Sequence, residues 1–98
     1  MQKMYVLVRK DLPKNYQAVQ AGHALAEHLL GQPFLFGWNN GTLIYLGVKD
    51  EDELIKWGEK LDAMDKKWTG FREPDIGDQM TAIATVDNGE TFKKMRLL

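Results

Sequence analysis

The amino-acid sequence predicts an α/β fold, a three-layer α/β/α sandwich around a four-stranded mixed sheet. Three observations predict it. Continuous β-prone runs alternate with helix-periodic segments in the order strand, helix, strand, helix, strand, strand. The first run, "MYVLV", carries no charged residue, as a strand covered on both faces requires. The strand–helix–strand opening implies a parallel crossover, which lays a helix across a face of the sheet.

Each element has its own signal. Residues 4–8 form strand one, interior to the sheet. "KDLPKN" then turns the chain: Pro13 favours extended geometry at Leu12, and Asn15 suits an N-cap. The spacing predicts helix one over residues 16–30, stopped by Gly31 and Pro33. "FLFGWNNG" reads as a loop presenting Phe34, Phe36 and Trp38, ended by an Asn-Asn-Gly turn. Residues 42–48, "TLIYLGV", form strand two. "DEDE", residues 50–53, is a capping box in which Asp50 accepts from the Glu53 amide and Glu53 reaches back. Helix two follows, with Leu54, Ile55, Trp57, Gly58, Leu61 and Met64 at helical spacing. "WTGF" is a short third strand, "EPDIGDQ" a loop and "TAIATV", residues 81–86, the fourth strand. "NGETFKKM" reads as a turn with a last short helix.

Composition narrows the function. A chain of 98 residues makes a single domain, without internal repeat or linker. It has no cysteine, hence no disulfide and no thiolate metal site; this fits a reducing cytosol and a cytoplasmic location. It has no serine, which excludes a serine nucleophile. Neither of the glycine-rich phosphate loops is present. No apolar run approaches the ~20 residues of a membrane span, so no membrane partner is expected. The N-terminal stretch reads as a strand rather than a signal peptide. A formal net charge of −1 provides no global attraction to nucleic acid. Positive charge is nonetheless local. Lys3, Arg9, Lys10 and Lys14 face only Asp11 in the first stretch, Lys66 adjoins Lys67, and Lys93, Lys94 and Arg96 crowd the last residues. Ligands of open α/β sheets sit beyond the carboxyl ends of parallel strands, here the Arg9–Lys14 edge.

Helix one holds the most unusual pattern. At ~100° per residue, Tyr16, Gln20, His23 and Glu27 fall within about 60° of one another, one narrow polar stripe. Ala18, Ala21, Gly22, Leu25 and Leu29 fall on the opposite side. The pattern predicts a close-packed small-residue face on the sheet, with Gly22 permitting the approach, and the polar stripe turned away. His28 flanks the apolar side. Two histidines pointing apart make a zinc site improbable, and no metal or cofactor is expected.

The segments "YVLVRKDL" and "QAVQAGHALAEHLL" resemble the opening of type II peptidyl-tRNA hydrolases. There, a strand ending V-R-x-D-L leads into a helix bearing Q-x-x-H-A. The matching residues are Val8, Arg9, Asp11, Leu12, Gln20, His23 and Ala24. "TLIYLGVKDEDELIKWGEKL" is similar to the family's second strand and following helix, and "TAIATV" to its threonine-opened last strand. The likeness spans nearly the whole chain. Two features differ. Tyr16 stands where the family carries a lysine, and "REPDIGDQMTAIA" replaces a D-x-G-R-T loop, of which Arg72 remains. This segment and the closing "FKKMRLL" look more like the divergent peptidyl-tRNA hydrolase domain-containing branch.

The resemblance implies hydrolysis of the ester between a peptide and the tRNA 3′ end, with tRNA or peptidyl-tRNA as partner. Self-association into a homodimer is a further expectation. Such a reaction needs a positioned water, a base or orienter, and donors for the developing oxyanion. His23 is the candidate to orient or deprotonate water, with Gln20 and Thr81 as donors. Asp11 is placed to hold an imidazole or a lysine, and Glu73 or Asp75 to replace the family's loop aspartate. Arg9, Lys10, Lys14 and Arg72 are candidates for RNA phosphate. Two other readings stand beside this one. The first is a catalytically inactive tRNA-, nucleotide- or protein-binding domain. The second is a structural role, to which the aromatic loop contributes an interface or stacking platform.

Overall fold

The computed structural model describes residues 2–31 and 37–98, so Pro33, Phe34 and Phe36 lie outside the described residues. The chain runs β1 (Lys3–Arg9), α1 (Lys14–Gly31), β2 (Leu43–Val48), α2 (Glu51–Ala63), β3 (Trp68–Glu73) and β4 (Gln79–Asp87). The sheet order is β2-β1-β4-β3. β1 pairs in parallel with β2 and antiparallel with β4, which is antiparallel to β3. β1 is therefore interior, and residues 4–9 are all buried.

The alternation of β1 separates two cores. Tyr5 and Leu7 face α2 and pack with Leu46, Val48, Leu54, Leu61, Met80, Ile83 and Phe92. Met4, Val6 and Val8 face α1 and pack with Ala21, Ala24, Ala82 and Ala84. A helix on each face makes the three layers that the sequence predicts. Small residues do let α1 lie close, but they are Ala21 and Ala24. Ala18 and Gly22 are exposed, Leu29 is largely so, and a Cβ added at Gly22 would meet nothing within 4 Å. Close packing therefore does not explain Gly22.

Several element ends differ from expectation. α1 begins at Lys14, with the Gln17 amide donating to the Pro13 carbonyl at 2.9 Å, so Asn15 is inside the helix rather than its cap. The Gln17 side chain closes the preceding turn by donating to the Leu12 carbonyl at 2.6 Å. α2 is capped as expected, the Asp50 carboxylate accepting from the Glu53 amide at 3.0 Å. Glu53 reaches back to the Lys49 amide, one residue before the cap. Trp38 is not a free loop aromatic. It packs against the α1-side core and its indole N–H donates to the Thr42 carbonyl at 2.7 Å.

The last segment forms turns rather than a helix, because Phe92 is drawn into the α2-side core against Tyr5 and Trp57. The chain then runs along the outer edge of β2. The Gly47 amide donates to the Arg96 carbonyl at 3.2 Å, and the Leu98 amide to the Tyr45 carbonyl at 3.0 Å. This covers part of an edge that would otherwise present unpaired backbone groups.

Candidate functional site

The site is organised by an irregularity in β4. The β3–β4 register passes from Phe71↔Ala82 to Arg72↔Met80, so β4 spends two residues against one on β3. Thr81 is the extra residue of a β-bulge, a device that redirects side chains. The β1–β4 ladder stops at Val8↔Ala82. Beyond it, the Met80 amide donates to Glu51 at 2.7 Å, and the Met80 carbonyl accepts from Arg9 at 3.2 Å. These bonds brace the bulge from the α2 side. On the other side Thr81 joins Ala82 in facing α1, where the Thr81 hydroxyl donates to the Gln20 side-chain oxygen at 2.6 Å.

From Gln20 the network continues outward. Its amide nitrogen donates to the Glu73 carboxylate at 2.8 Å. The second Glu73 oxygen accepts from the Asp75 backbone amide at 3.2 Å, at the start of a short 3₁₀ turn, Pro74–Ile76. Gly77 ends that turn at φ 71°, a left-handed conformation natural to glycine. The Gln20 and Asp75 hydrogen bonds hold the Glu73 carboxyl below the ordinary carboxylate range, outweighing partial burial, with the His23 charge and the Tyr16 hydroxyl adding to the effect. The reciprocal influence appears at Tyr16, whose phenol is raised first by desolvation and then by the charges of Glu73 and Asp75. Tyr16 is thus a neutral hydroxyl, where a lysine would be a cation.

His23 is exposed and lies flat on Phe71, with ring centroids 4.4 Å apart and planes 7° from parallel. The polar face of α1 therefore runs along edge strand β3: Gln20 meets Glu73, His23 meets Phe71, and His28 meets Thr69 at 2.8 Å. The expectation that Gln20 turns away from the sheet is overturned. Gln20 is fully buried, and so is Thr81. α1 sits over β4 and β3 more than over β1, which brings its polar flank onto the sheet. His28 also faces inward, and desolvation lowers its pKa.

Three nominated residues thus come together by direct hydrogen bonds, Gln20, Glu73 and Thr81, while His23 stacks on Phe71, two residues before Glu73 on β3. Asp75 adds its backbone amide, while its side chain is exposed. Asp11 lies outside the network. Both of its oxygens accept from Arg9, at 2.8 and 2.9 Å, and these bonds hold its carboxyl below the usual range. Arg9 does not meet the expectation of a free phosphate contact. It is 6% exposed, and Asp11, Gln79 and the Met80 carbonyl occupy its guanidinium. Lys10 and Lys14 are exposed; Arg72 is exposed and donates to the Asp78 carbonyl at 3.0 Å. Sequence reasoning missed two contributors, the Tyr16 hydroxyl that feels the Glu73 charge and Phe71 as the platform for His23. The stripe position of Tyr16 was the signal for the first; nothing local marked Phe71.

Among the described residues, no group of three or more His, Asp or Glu is placed to hold a metal ion. No helix of the described residues is long and apolar enough to cross a membrane.

No family model matches the chain, and no curated protein matches it in sequence. The chain is similar in structure to the protein of unknown function Atu0240 from Agrobacterium tumefaciens strain C58. That likeness has a TM-score of 0.73 at 11% sequence identity and covers 99% of this chain and 97% of the other. At that identity the likeness carries the fold alone.

Proposed function

We propose that the chain hydrolyses a carboxylic ester at the Glu73–His23 edge, in the manner of a peptidyl-tRNA hydrolase releasing peptide from tRNA. The observation that carries this reading is the Thr81–Gln20–Glu73 relay. Three elements supply one residue each, and the relay ends on a carboxylate two residues from Phe71, the ring on which the exposed His23 imidazole stacks. An imidazole is suited to proton transfer near neutral pH. His23 takes the proton of an attacking water as the water oxygen bonds to the ester carbon, and returns it to the tRNA 3′ oxygen as the ester C–O bond breaks. Glu73 stabilises the imidazolium that results, being anionic and held in place by Gln20 and Asp75. Thr81 fixes the orientation of the Gln20 amide, so that its N–H rather than its oxygen meets Glu73. Tyr16 offers a hydroxyl at the same carboxylate. This assignment departs from the sequence expectation in one respect: Gln20 and Thr81 position Glu73 instead of donating to substrate.

The test is turnover of an N-blocked aminoacyl-tRNA by the pure protein, with His23→Ala and Glu73→Gln as variants. Loss of a general base reduces rates by about 10²–10⁴-fold, so His23→Ala is expected to lose at least a hundredfold. Turnover unchanged by His23→Ala would end the assignment.

A second reading has its own support. Gln20 and Thr81 are fully buried and hydrogen-bonded to each other, leaving neither as a free donor for an oxyanion. A binding domain of the same fold would keep that relay for stability. It would bind tRNA and leave the ester intact, in wild type and variants alike.

A further inference from the structure

A second feature lies at the same end of the sheet, on the β2 side. A groove of about 530 Å³ opens at the carboxyl ends of β1 and β2, the parallel pair. Lys10, Lys49, Lys94 and Arg96 line it, together with Asp11 and Glu53. Those two carboxylates are already engaged. Asp11 is bidentate with Arg9, and Glu53 accepts from the Lys49 amide. The four cations are exposed, and among the described residues none of them forms an ion pair.

The groove is held from several sides. The stem of Lys10 lies across Gly47, where an added Cβ would stand 2.5 Å from Lys10 Cδ and 2.8 Å from Cγ. Only the missing side chain at Gly47 allows that path. Lys94 and Arg96 are brought to the rim because the last segment runs along β2 through the Gly47–Arg96 and Leu98–Tyr45 backbone bonds. Lys49 follows β2 directly. The N-terminus of α2 is already occupied by Asp50, so the side-chain cations, and not helix amides, supply the attraction.

We propose that this groove binds phosphate, as a site separate from the Glu73–His23 edge. Phosphate is the fitting ligand because the groove collects several mobile cations, and a compact polyanion neutralises them together. Arg9 links the two sites, since it holds Asp11 in the groove and Gln79 beside the bulge. With strands about 4.8 Å apart, the β2 edge and β3 lie roughly 15 Å from each other. A phosphate chain can therefore rest in the groove while an ester reaches β3. This deepens the proposed function and rests on it for the choice of RNA as a probe.

The experiment uses the whole chain and two probes, inorganic phosphate and a labelled six-nucleotide single-stranded RNA. Wild type is compared with the triple variant Lys10→Ala/Lys94→Ala/Arg96→Ala and with Gly47→Ala, after circular dichroism has verified folding. Each phosphate contact on a single strand contributes about 0.7 to the slope of log K against log salt. The triple variant is expected to bind RNA at least tenfold more weakly at low salt, with the slope flattened by about two. Gly47→Ala, which displaces the Lys10 stem, is expected to weaken binding severalfold. RNA binding with this pattern identifies a phosphate chain as the ligand. Amide shifts at Lys10, Gly47 and Lys49 with inorganic phosphate, without tighter RNA binding, identify a small phosphate instead. Binding of neither probe at low salt, or equal affinity and slope in wild type and triple variant, would overturn the site. Hydrolysis of an N-acetylated aminoacyl-adenosine, an ester without phosphate, reports the His23–Glu73 edge alone, so the failure of either site is seen separately.

Discussion

The two faces of the sheet are filled by different chemistry. Between α2 and the sheet, Leu54 and Leu61 of the helix pack with Leu7, Leu46, Ile83 and Phe92, large side chains that exclude water. Beneath α1 the core narrows to Ala21, Ala24, Ala82 and Ala84 under the β1 residues Met4, Val6 and Val8. The small residues bring α1 close to the sheet, and the flank toward β3 is completed by polar pairs, Gln20 with Thr81 and Glu73, and His28 with Thr69. One face gains stability from apolar area, about 25 cal/mol per Å² removed from water. The other adds to a smaller apolar core hydrogen bonds whose net worth is small but whose loss leaves buried groups unpaired. The candidate site belongs to the second face, since chemistry needs polar groups held at fixed positions in a largely dry setting.

This comparison can be broken at either face. Leu61, fully buried on the inner face of α2, should be the most costly to truncate. Leu61→Ala is expected to destabilise by about 2–5 kcal/mol, through lost transfer energy and a residual cavity, measured by urea unfolding. A loss below about 1 kcal/mol would show that the α2 face is not the principal core. On the α1 face, Thr81→Val keeps the shape and removes the hydroxyl, leaving the buried Gln20 oxygen without its donor. The expected cost is about 1–3 kcal/mol. Under the proposed hydrolysis, turnover falls more than stability alone accounts for, because Glu73 loses its orientation.

The exposed side of α1 gives a smaller effect of opposite sign. Gly22 sits mid-helix with open space around it. Gly22→Ala is therefore expected to stabilise by about 0.5–1 kcal/mol. Destabilisation, read from a thermal melt, would restore the close-packing role that the sequence pattern suggests. The most gradual effect is a pH dependence from His28. Desolvation lowers its pKa below the ordinary 6.5, so the unfolded chain binds this proton more readily than the folded one. Its contribution is complete above about 6.5 and is lost as pH falls from there through the lowered folded value. Wild type should lose stability below pH 6.5 more steeply than His28→Asn, in paired urea titrations. Parallel slopes would mean that His28 is not shielded from water as its burial indicates.

Much of the fold was legible because local signals agree with the tertiary arrangement. "MYVLV" is buried on both faces as its unbroken β-prone pattern requires, and "DEDE" caps α2 through Asp50 and the Glu53 amide. The site was legible as a set of residues. The helix stripe and the resemblance nominate Gln20, His23, Glu73 and Thr81; Gln20, Glu73 and Thr81 are joined by hydrogen bonds, and His23 lies on Phe71. Their roles were not legible, since two of them have no water-facing surface. Within the Arg9–Lys14 cluster the expectation of a free phosphate contact fails at Arg9, while Lys10 and Lys14 are exposed. Arg9 sits within reach of Asp11, Gln79 and the Met80 carbonyl, and no local pattern announces partners 70 residues away.

The sequence by itself determined the element order, the α/β class and which α1 residues share a helical face, because hydrogen-bond geometry makes these properties local. Only the tertiary structure decided which face of α1 is buried. Periodicity groups Tyr16, Gln20 and His23 but is silent on the rotation of the helix about its axis, and alanines on one side exert too weak a pull to set it. That rotation follows from the seat of α1 over β4 and β3, where Gln20 finds Thr81 and Glu73. The bulge at Thr81 was likewise decided between strands, since it exists only as a mismatch of register between β3 and β4. A burial that places a glutamine, a threonine and a glutamate in contact is stable only when all three arrive together, and no single segment contains that information.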